Sequence, residues 1–447
     1  MALFAMSMSV LVIANDFSAV NVAIPTMEED FDTGVNTIQW VVNAYALTFG
    51  VMIVTGGRLA DMFGRRRAFF VGTAIFASMS ALGGAAPTET WLIASRVAMG
   101  IGGALMWPAI LGMTFALLPA EKAGLAGGII LGAAGLGNAI GPLIGGVLTD
   151  ALSWRWIFFL NVPIAAFAVL VTYYLVNVKE PEVEEQRIDY PGIATLSVGL
   201  VSLLVALDQV DDWGWGDPRI VAMLVLAAVL IASFVPIERR AGMSALVPRT
   251  VMRNESFRAS CVAVTLMSAT FFAALLYLPQ FMQKHLDYSP LEAGVGVLPF
   301  LATFALVSFI AGPLYNRVGA KPLAVVGAGC IAVAPFLFSQ VSEGSGYGAL
   351  VPGMFVLGIG IGSFYPTATT AGVTSVDESQ SSLAGGILYM CQIAGGAIGL
   401  GLTTAVFSAQ DSFVEGIQAA FRLDAGLSLL GFLVALFFVG GRLVRSH

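Results

Sequence analysis

Residues 2–26 read ALFAMSMSVLVIANDFSAVNVAIPT, an apolar run that is long enough to cross a lipid bilayer as one helix. The run contains no lysine or arginine, yet Asp16 lies near its middle. A charged side chain at the centre of a membrane helix costs about 2.5–3.5 kcal/mol on insertion scales, so it usually faces a polar cavity and serves a function. We therefore interpret Asp16 as a candidate proton or cation site.

The composition of the whole chain agrees with a membrane protein. Of its 447 residues, 57% are hydrophobic and only 11% are charged, with a mean hydropathy of +0.86. Soluble domains carry about 25% charged residues. The net charge of −7 argues against a nucleic-acid partner. The 3 cysteines and 2 histidines form neither a disulfide framework nor a metal-binding pattern, so we expect no cofactor and no enzyme activity.

Runs of about 20 apolar residues predict an all-α integral membrane protein with fourteen transmembrane helices. We expect the first run to be a retained span, because it lacks the basic segment and cleavage site of a signal peptide. The predicted spans, numbered in chain order, are 3–25, 37–60, 68–87, 91–114, 124–148, 156–177, 191–209, 219–237, 258–281, 291–315, 322–340, 348–371, 382–408 and 417–440.

The basic residues predict the orientation of the chain. If the N-terminus is cytoplasmic, most of the 21 lysine and arginine residues fall in cytoplasmic loops. Among them are Arg67, Lys179, Arg187, Arg442 and Arg445. Since cytoplasmic loops carry an excess of positive charge, we expect both termini to be cytoplasmic.

The two ends of the chain resemble each other. The segments at 100–102 (GIG), 125–129 (LAGGI) and 137–141 (GNAIG) match those at 358–360 (GIG), 383–387 (LAGGI) and 395–399 (GGAIG). The offset is the same for all three pairs, which argues against chance similarity of glycine-rich helices. We therefore divide the chain into a six-helix bundle at 1–178, an inserted pair of spans at 179–257 and a second six-helix bundle at 258–447. Repeated halves around a central site are typical of secondary transporters.

Residues 56–67, GGRLADMFGRRR, join spans 2 and 3. Gly57 allows close packing, Gly64 allows a tight turn, and Asp61 can pair with an arginine or accept hydrogen bonds from a helix N-terminus. We interpret the segment as a conformational latch made of Gly57, Arg58, Asp61, Gly64, Arg65 and Arg66. Its basic residues alone also fit a plain topology anchor. The repeat has Asn316 in place of Asp61, so a second latch is expected to be weaker.

Span 5 contains GLGNAIGPLIGG at 135–146. Small residues four apart allow a neighbouring helix to approach closely, and a proline bends the helix. The residues that we single out here are Gly137, Gly141, Pro142, Gly145 and Gly146. Pro25 and Pro279 are expected to close the first helix of each half.

Arg96 lies in span 4 at about the depth of Asp16, so the two side chains can pair in a shared cavity; the alternative is that Arg96 reaches outward to the bilayer surface. Asp16 is expected to be the only acid at mid-depth, because the remaining acids fall at span ends or in loops. Its repeat counterpart, counted back from Pro25 and Pro279, is Thr270. Polar, aromatic and methionine residues that are candidates for a substrate cavity, rather than for lipid contact or packing, are Asn21, Met106, Trp107, Phe271, Phe272, Phe364, Tyr365, Tyr389 and Gln392.

Together these segments resemble the major facilitator superfamily, and above all its fourteen-span drug:proton antiporter branch, the QacA/EmrB type. NDFSAVNVAIP (15–25) is similar to the first-helix motif of that branch, and GNAIGPLIGG followed by SWRWIFFLNVPI (153–164) is similar to its antiporter motif. Arg96 with Gly100 and Gly102 is similar to its span 4 motif. Two departures are Ser18, where threonine is usual, and VDESQSS (376–382), where basic residues are usual.

The resemblance implies two bundles that rock around a central cavity. It also implies proton-driven multidrug efflux of amphipathic, often cationic, molecules across the cytoplasmic (inner) membrane, hence drug resistance. We expect the partners to be a small-molecule substrate, protons and lipid, and the chain to be monomeric. An exporter of one endogenous metabolite, a non-coupled facilitator and a transport-like receptor remain as alternatives.

Overall fold

The computed structural model describes residues 2–176 and 188–439, which form fourteen helices long and apolar enough to cross a membrane and contain no β-strand. Each predicted span falls on one of these helices, so the all-α fold with fourteen spans is confirmed. The helices are α1 (Ala2–Phe31), α2 (Trp40–Phe63), α3 (Arg65–Gly84), α4 (Glu89–Leu117), α5 (Ala123–Ala151), α6 (Arg155–Leu175), α7 (Tyr190–Trp213), α8 (Pro218–Ala241), α9 (Glu255–Lys284), α10 (Leu298–Val318), α11 (Ala320–Phe338), α12 (Val351–Val373), α13 (Ser381–Ser408) and α14 (Phe413–Phe438).

The first helix of each half does not end at its proline. Helix α1 continues past Pro25 to Phe31, and α9 continues past Pro279 to Lys284. The prediction that these prolines close the helices is wrong. A proline removes one backbone donor, and in membrane helices neighbouring groups can satisfy the carbonyl that is left free.

The two halves repeat one packing pattern. Helices α1–α5, α2–α4 and α3–α4 are in extensive contact, and so are α9–α13, α10–α12 and α11–α12. The predicted domain limit at 178/179 lies outside the described residues, as do Lys179, Arg187, Arg442 and Arg445. The limit at 257/258 falls in the first turn of α9.

The bundles meet through α2 against α13 and α5 against α10. We call the end of the molecule that carries the α2–α3 and α10–α11 turns the latch end. A Cβ added to α5 would lie 2.6 Å from the Gly312 carbonyl oxygen at Gly124, 3.0 Å from Ala305 Cα at Gly135, and 3.7 Å from Leu291 Cδ1 at Gly146. The bundles therefore pack most tightly at the latch end.

The inserted helices α7 and α8 pack on each other, and α7 also contacts both α2 and α13. Near the far end of α7, Asp208 Oδ1 accepts a hydrogen bond of 2.8 Å from Asn43 Nδ2 of α2. On the other side, Leu207 lies against Gly401 of α13. The inserted pair thus lies along the seam between the two bundles.

Candidate functional site

A buried ion pair lies inside the first bundle. Asp16 Oδ2 on α1 accepts a hydrogen bond from Arg96 Nη1 on α4, and both side chains are 0% exposed. The contact expected from their depths is therefore present, and Arg96 does not reach outward to the surface. The role of the pair in proton coupling stays a prediction.

Other polar groups hold this pair in place. Asn161 Nδ2 on α6 donates 2.9 Å to Asp16 Oδ1 and lies 3.1 Å from Ser80 Oγ. Arg96 Nε donates to the Val41 carbonyl at 2.7 Å, and its guanidinium lies 4.2 Å from the centre of the Tyr45 ring. Neither Asn161 nor Ser80 was predicted from the sequence as a member of this network. The available signal was a buried asparagine within the otherwise apolar stretch IFFLNVPI.

The glycines of span 5 position the segment that carries Asp16. A Cβ would lie 2.7 Å from the Leu11 carbonyl oxygen at Gly137, 1.9 Å from Ser18 Oγ at Gly141, and 2.3 Å from the Ala19 carbonyl oxygen at Gly145. These three glycines therefore let α5 contact α1 on both sides of Asp16.

The other two residues of that motif make no such contact with α1. Pro142 lies within α5, so the helix continues through it. At Gly146 an added Cβ would meet only Leu291 Cδ1 and Val22 Cγ1, at 3.7 and 3.8 Å, which are ordinary packing distances. The close approach of α5 to α1 thus depends on Gly137, Gly141 and Gly145.

A cavity lies between the bundles, among α4, α5, α9, α12 and α13. Four of the nine predicted cavity residues line it: Trp107, Tyr365, Tyr389 and Gln392. Trp107 and Tyr389 meet across the bundle interface with ring centres 4.5 Å apart. Trp107 Nε1 is buried without an acceptor among the described residues.

The other five predicted residues do not line this cavity. Met106 is buried against Gly72 of α3, and Phe364 is buried against Gly327 of α11. The others are Phe271, which packs on Phe300, Phe272, which packs on Gly396, and Asn21, which is exposed and donates to the Phe17 carbonyl. Met106 directly precedes Trp107, and Phe364 directly precedes Tyr365. Since successive residues of an α-helix are about 100° apart around its axis, each of these two side chains faces away from the cavity that its neighbour lines.

The latch residue Asp61 crosses the bundle interface. Its carboxylate accepts hydrogen bonds from the backbone N–H groups of Ser382 (3.3 Å) and Leu383 (2.8 Å) in the first turn of α13. Arg65 Nε lies 3.1 Å from Asp61 Oδ1, and Arg65 also donates to the Glu378 carbonyl oxygen. The acid thus satisfies free donors at a helix N-terminus, where negative charge is favourable.

The other latch residues do not all lie at the interface between the bundles. A Cβ at Gly57 would lie 2.7 Å from the Ser382 carbonyl oxygen, so this glycine lets α13 approach. Gly64 forms the α2–α3 turn with a positive φ of 103°. Arg66 contacts its own bundle, donating to the Tyr173 carbonyl at 2.5 Å. Arg58 lines a small cavity beside the inserted helices.

A second latch repeats the first. Asn316 Oδ1 at the end of α10 accepts a 2.9 Å hydrogen bond from Gly124 N in the first turn of α5. A single neutral contact thus replaces the carboxylate contacts of Asp61, in line with the expectation of a weaker second latch.

A second acid also lies at mid-depth. Asp424 is in the middle of α14 and is 0% exposed. Neither of its carboxylate oxygens has a hydrogen-bond partner among the described residues. The prediction that Asp16 is the only acid at mid-depth is therefore wrong. The predicted span began four residues after α14 does, which placed Asp424 too near a helix end.

Two pseudo-repeated bundles with a cavity between them, and a buried ion pair within the first bundle, are the architecture expected of a membrane transporter. The profile of the Major Facilitator Superfamily matches residues 6–255 and 259–446. The chain therefore belongs to this superfamily: it is a multi-pass membrane transporter and not an enzyme.

Known proteins that resemble the chain agree with this assignment. It is 33% identical to the puromycin resistance protein pur8 of Streptomyces alboniger, covering 98% of this chain and 87% of that protein. It is 31% identical to the tetracenomycin C resistance and export protein of Streptomyces glaucescens, covering 89% and 74%. The fold resembles that of the human organic anion transporter MFSD10, with a TM-score of 0.72, 16% identity, and 97% and 98% coverage.

Proposed function

We propose that this transporter exports drug-sized amphipathic molecules in exchange for protons, with Asp16 as the proton-coupling carboxylate. The observation that carries the proposal is the fully buried ion pair between Asp16 on α1 and Arg96 on α4. Protonation of Asp16 would remove its charge, break the pair and leave Arg96 to find another partner. Removing one member of a buried ion pair is costly, so the protonation state would bias the conformation strongly.

This bias can drive transport only if the two conformers differ in their affinity for the proton. In the conformer described here, Asp16 accepts hydrogen bonds from both Asn161 and Arg96. A conformer that separates α1 from α4 would favour the protonated form. One proton that moves through 100 mV supplies about 2.3 kcal/mol, enough for roughly a fiftyfold gradient of a neutral substrate.

We further propose that the latch end is cytoplasmic and that the chain lies in the cytoplasmic (inner) membrane with both termini inside. The latch end carries Arg65, Arg66 and Arg67 after α2 and Arg239 and Arg240 at the end of α8, as the positive-inside rule requires. Bacterial resistance proteins among the relatives support this location. On this orientation, the closed latch end belongs to a conformer that faces outward.

The cavity lining suggests the chemistry of the substrate. Apart from Gln392 and Thr369, its side chains are aromatic or aliphatic, and none of the lining residues is charged. The unpaired Trp107 Nε1 offers one hydrogen-bond donor. We infer that substrates are neutral or weakly charged aromatic molecules with an acceptor oxygen, in line with the antibiotics that name the relatives.

The test uses purified protein, with substrates first identified by a thermal-shift screen of neutral antibiotics, lipophilic cations and organic anions. In proteoliposomes, Asp16→Asn is expected to abolish transport driven by a pH gradient and the proton release caused by substrate. Glu121→Gln, a matched charge change at an exposed site, should keep both. Full gradient-driven transport by Asp16→Asn would contradict the coupling role, and a wild type without substrate-induced proton release would indicate a facilitator.

The cavity assignment has its own test. Trp107→Phe keeps an aromatic ring but removes the indole donor, and it is expected to weaken substrate binding about tenfold. Trp91→Phe, at an exposed position on the same helix, should bind as the wild type does. Equal binding by both variants would remove Trp107 from the substrate site.

A further inference from the structure

Two carboxyl groups face each other at the latch end of the inserted helices. Asp189 directly precedes α7, Glu238 lies in the last turn of α8, and they are 7% and 8% exposed. A Cβ added to Gly192 would lie 2.4 Å from Asp189 Oδ2 and 2.8 Å from Glu238 Oε1. The two side chains thus meet over this glycine.

The donors around the pair leave one oxygen unsatisfied. Glu238 accepts hydrogen bonds from the backbone N–H groups of Leu246 and Val247, both at 3.1 Å. Asp189 Oδ1 accepts from Gly192 N at 2.9 Å. Asp189 Oδ2 receives no N–H or hydroxyl donor from the part of the chain that the structure describes. Two buried carboxylates that face each other cannot both ionise at low cost, so a proton between them is the simplest way to satisfy this oxygen.

An arginine links the pair to the latch. Arg58 of α2 and Asp189 line the same small cavity. Arg58 lies three residues before Asp61 on α2 and so on the same side of the helix, and the carboxylate of Glu238 is close enough to act on its charge. Asp61 in turn binds the first turn of α13. Arg65 forms the ion pair with Asp61, so a change in charge at the carboxyl pair acts on a second cation beside the latch acid.

We propose that Asp189 and Glu238 form a proton-binding site that regulates the latch through Arg58. With one proton, the pair carries a single negative charge and Arg58 remains close to Asp61. When the proton leaves, the second negative charge draws Arg58 toward the inserted helices, and Asp61 loses part of its support. The latch end then opens more readily as pH rises.

The charged groups around the site agree with a latch end that opens as pH rises. Helix α2 presents Arg58 and Asp61, the segment before α7 presents Asp189, and α8 presents Glu238, while Arg239 and Arg240 are exposed. The site requires neither Asp16 nor transport of any substrate, so it is independent of the proposed coupling mechanism. It gives the inserted pair a role that the two bundles alone do not supply.

The experiment measures the opening of the latch end directly. Spin labels are attached to cysteines at the exposed positions Arg67 and Arg317, one on each bundle, after Cys261, Cys330 and Cys391 are changed to serine. The distance between the labels is then measured between pH 5.5 and 8.5. We expect the open fraction of the wild type to rise with pH, by at most about tenfold per pH unit for one linked proton.

The decisive variant is Asp189→Asn. Its amide can still accept from Gly192 N and donate to Glu238, so it imitates the protonated pair and should lose the pH response while folding normally. Glu121→Gln, a charge change at an exposed site, should retain the response. A wild type without a pH response, or an Asp189→Asn variant that responds as the wild type does, would overturn the proposal. Loss of the response in Asp16→Asn alone would assign it to the transport site instead.

Discussion

The two six-helix bundles share a packing pattern but differ in their buried chemistry. In the first bundle, Asp16 on α1 pairs with Arg96 on α4 and accepts a hydrogen bond from Asn161 on α6. The corresponding positions of the second bundle hold Thr270 and Met354, which carry no charge. Thr270 Oγ1 lies 2.5 Å from the Ser428 hydroxyl on α14, the sixth helix of its bundle. The sixth helix of the first bundle, α6, carries the amide of Asn161.

The two latches also share their backbone contacts and differ in charge. A Cβ at Gly57 would lie 2.7 Å from the Ser382 carbonyl oxygen, and a Cβ at Gly312 would lie 2.7 Å from the Gly124 carbonyl oxygen. The backbone approach is therefore equal in the two latches, whereas the contact made by Asp61 is ionic and that made by Asn316 is neutral. The repeat conserves how the backbones meet, and charge is concentrated in the first half.

The largest expected effect comes from giving the first bundle the residue of the second. Arg96→Met leaves Asp16 buried without its cation and should lower the free energy of unfolding by about 3–5 kcal/mol. Thr270→Val, which removes the hydroxyl contact of the second bundle, should cost only about 0.6 kcal/mol. Both values can be measured by denaturant unfolding of the detergent-solubilised protein.

A double variant separates the charge from the packing. Asp16→Thr with Arg96→Met copies both positions of the second bundle and should recover most of the lost stability, because no buried charge is left unpaired. It should still lack transport driven by a pH gradient. If the double variant is less stable than Arg96→Met alone, packing rather than charge dominates this region.

The next largest effect is expected from variants that test whether the backbone contacts of the two latches are equal. Gly57→Ala and Gly312→Ala each insert a methyl group against a backbone carbonyl oxygen of the other bundle, which should cost about 1–3 kcal/mol in the closed latch. Both variants should therefore raise the open fraction, measured with labels at Arg67 and Arg317, by similar factors. A strong effect of one variant only would show that the latches are not equivalent in geometry.

A smaller difference is expected between the polar latch residues. Hydrogen bonds to a charged group contribute about 1.5–3 kcal/mol and neutral ones about 0.5–1.5 kcal/mol. Asp61→Ala should therefore raise the open fraction about tenfold and Asn316→Ala about threefold. The variant Asn316→Asp sharpens this comparison, because it should close the second latch more firmly than the wild type. Equal effects of the two alanine variants would show that charge does not set latch strength.

Much of this asymmetry could be predicted from the sequence. The apolar runs predicted all fourteen helices, because a membrane span needs a long apolar stretch whatever its partners. The depths of Asp16 and Arg96 predicted a contact, since both distances follow from the rise of a helix. The match of Gly64 with Gly319 predicted the position of the second latch at Asn316.

The remaining features depend on how helices face each other. Asn161 is the one polar residue of IFFLNVPI, but its contact with Asp16 depends on which side of α6 faces α1, and the sequence does not give that orientation. Met106 and Phe364 point away from the cavity although their neighbours Trp107 and Tyr365 line it, so composition alone could not separate them. The meeting of Asp189 and Glu238 joins residues on different helices through a loop contact that periodicity does not encode.

The smallest effect on transport is expected from a change at Asp424, and this change also tests whether the two bundles differ in their buried charge. It is the acid of the second bundle, fully buried and without a hydrogen-bond partner among the described residues. An ionised carboxylate in such a place is costly, so we expect Asp424 to be protonated in the folded protein. The variant Asp424→Asn keeps the size of the side chain and cannot ionise, so it should transport as the wild type does and be no less stable in denaturant unfolding. Loss of gradient-driven transport in this variant would show that the second bundle also binds a coupling proton, and the charge asymmetry between the halves would then have no functional meaning.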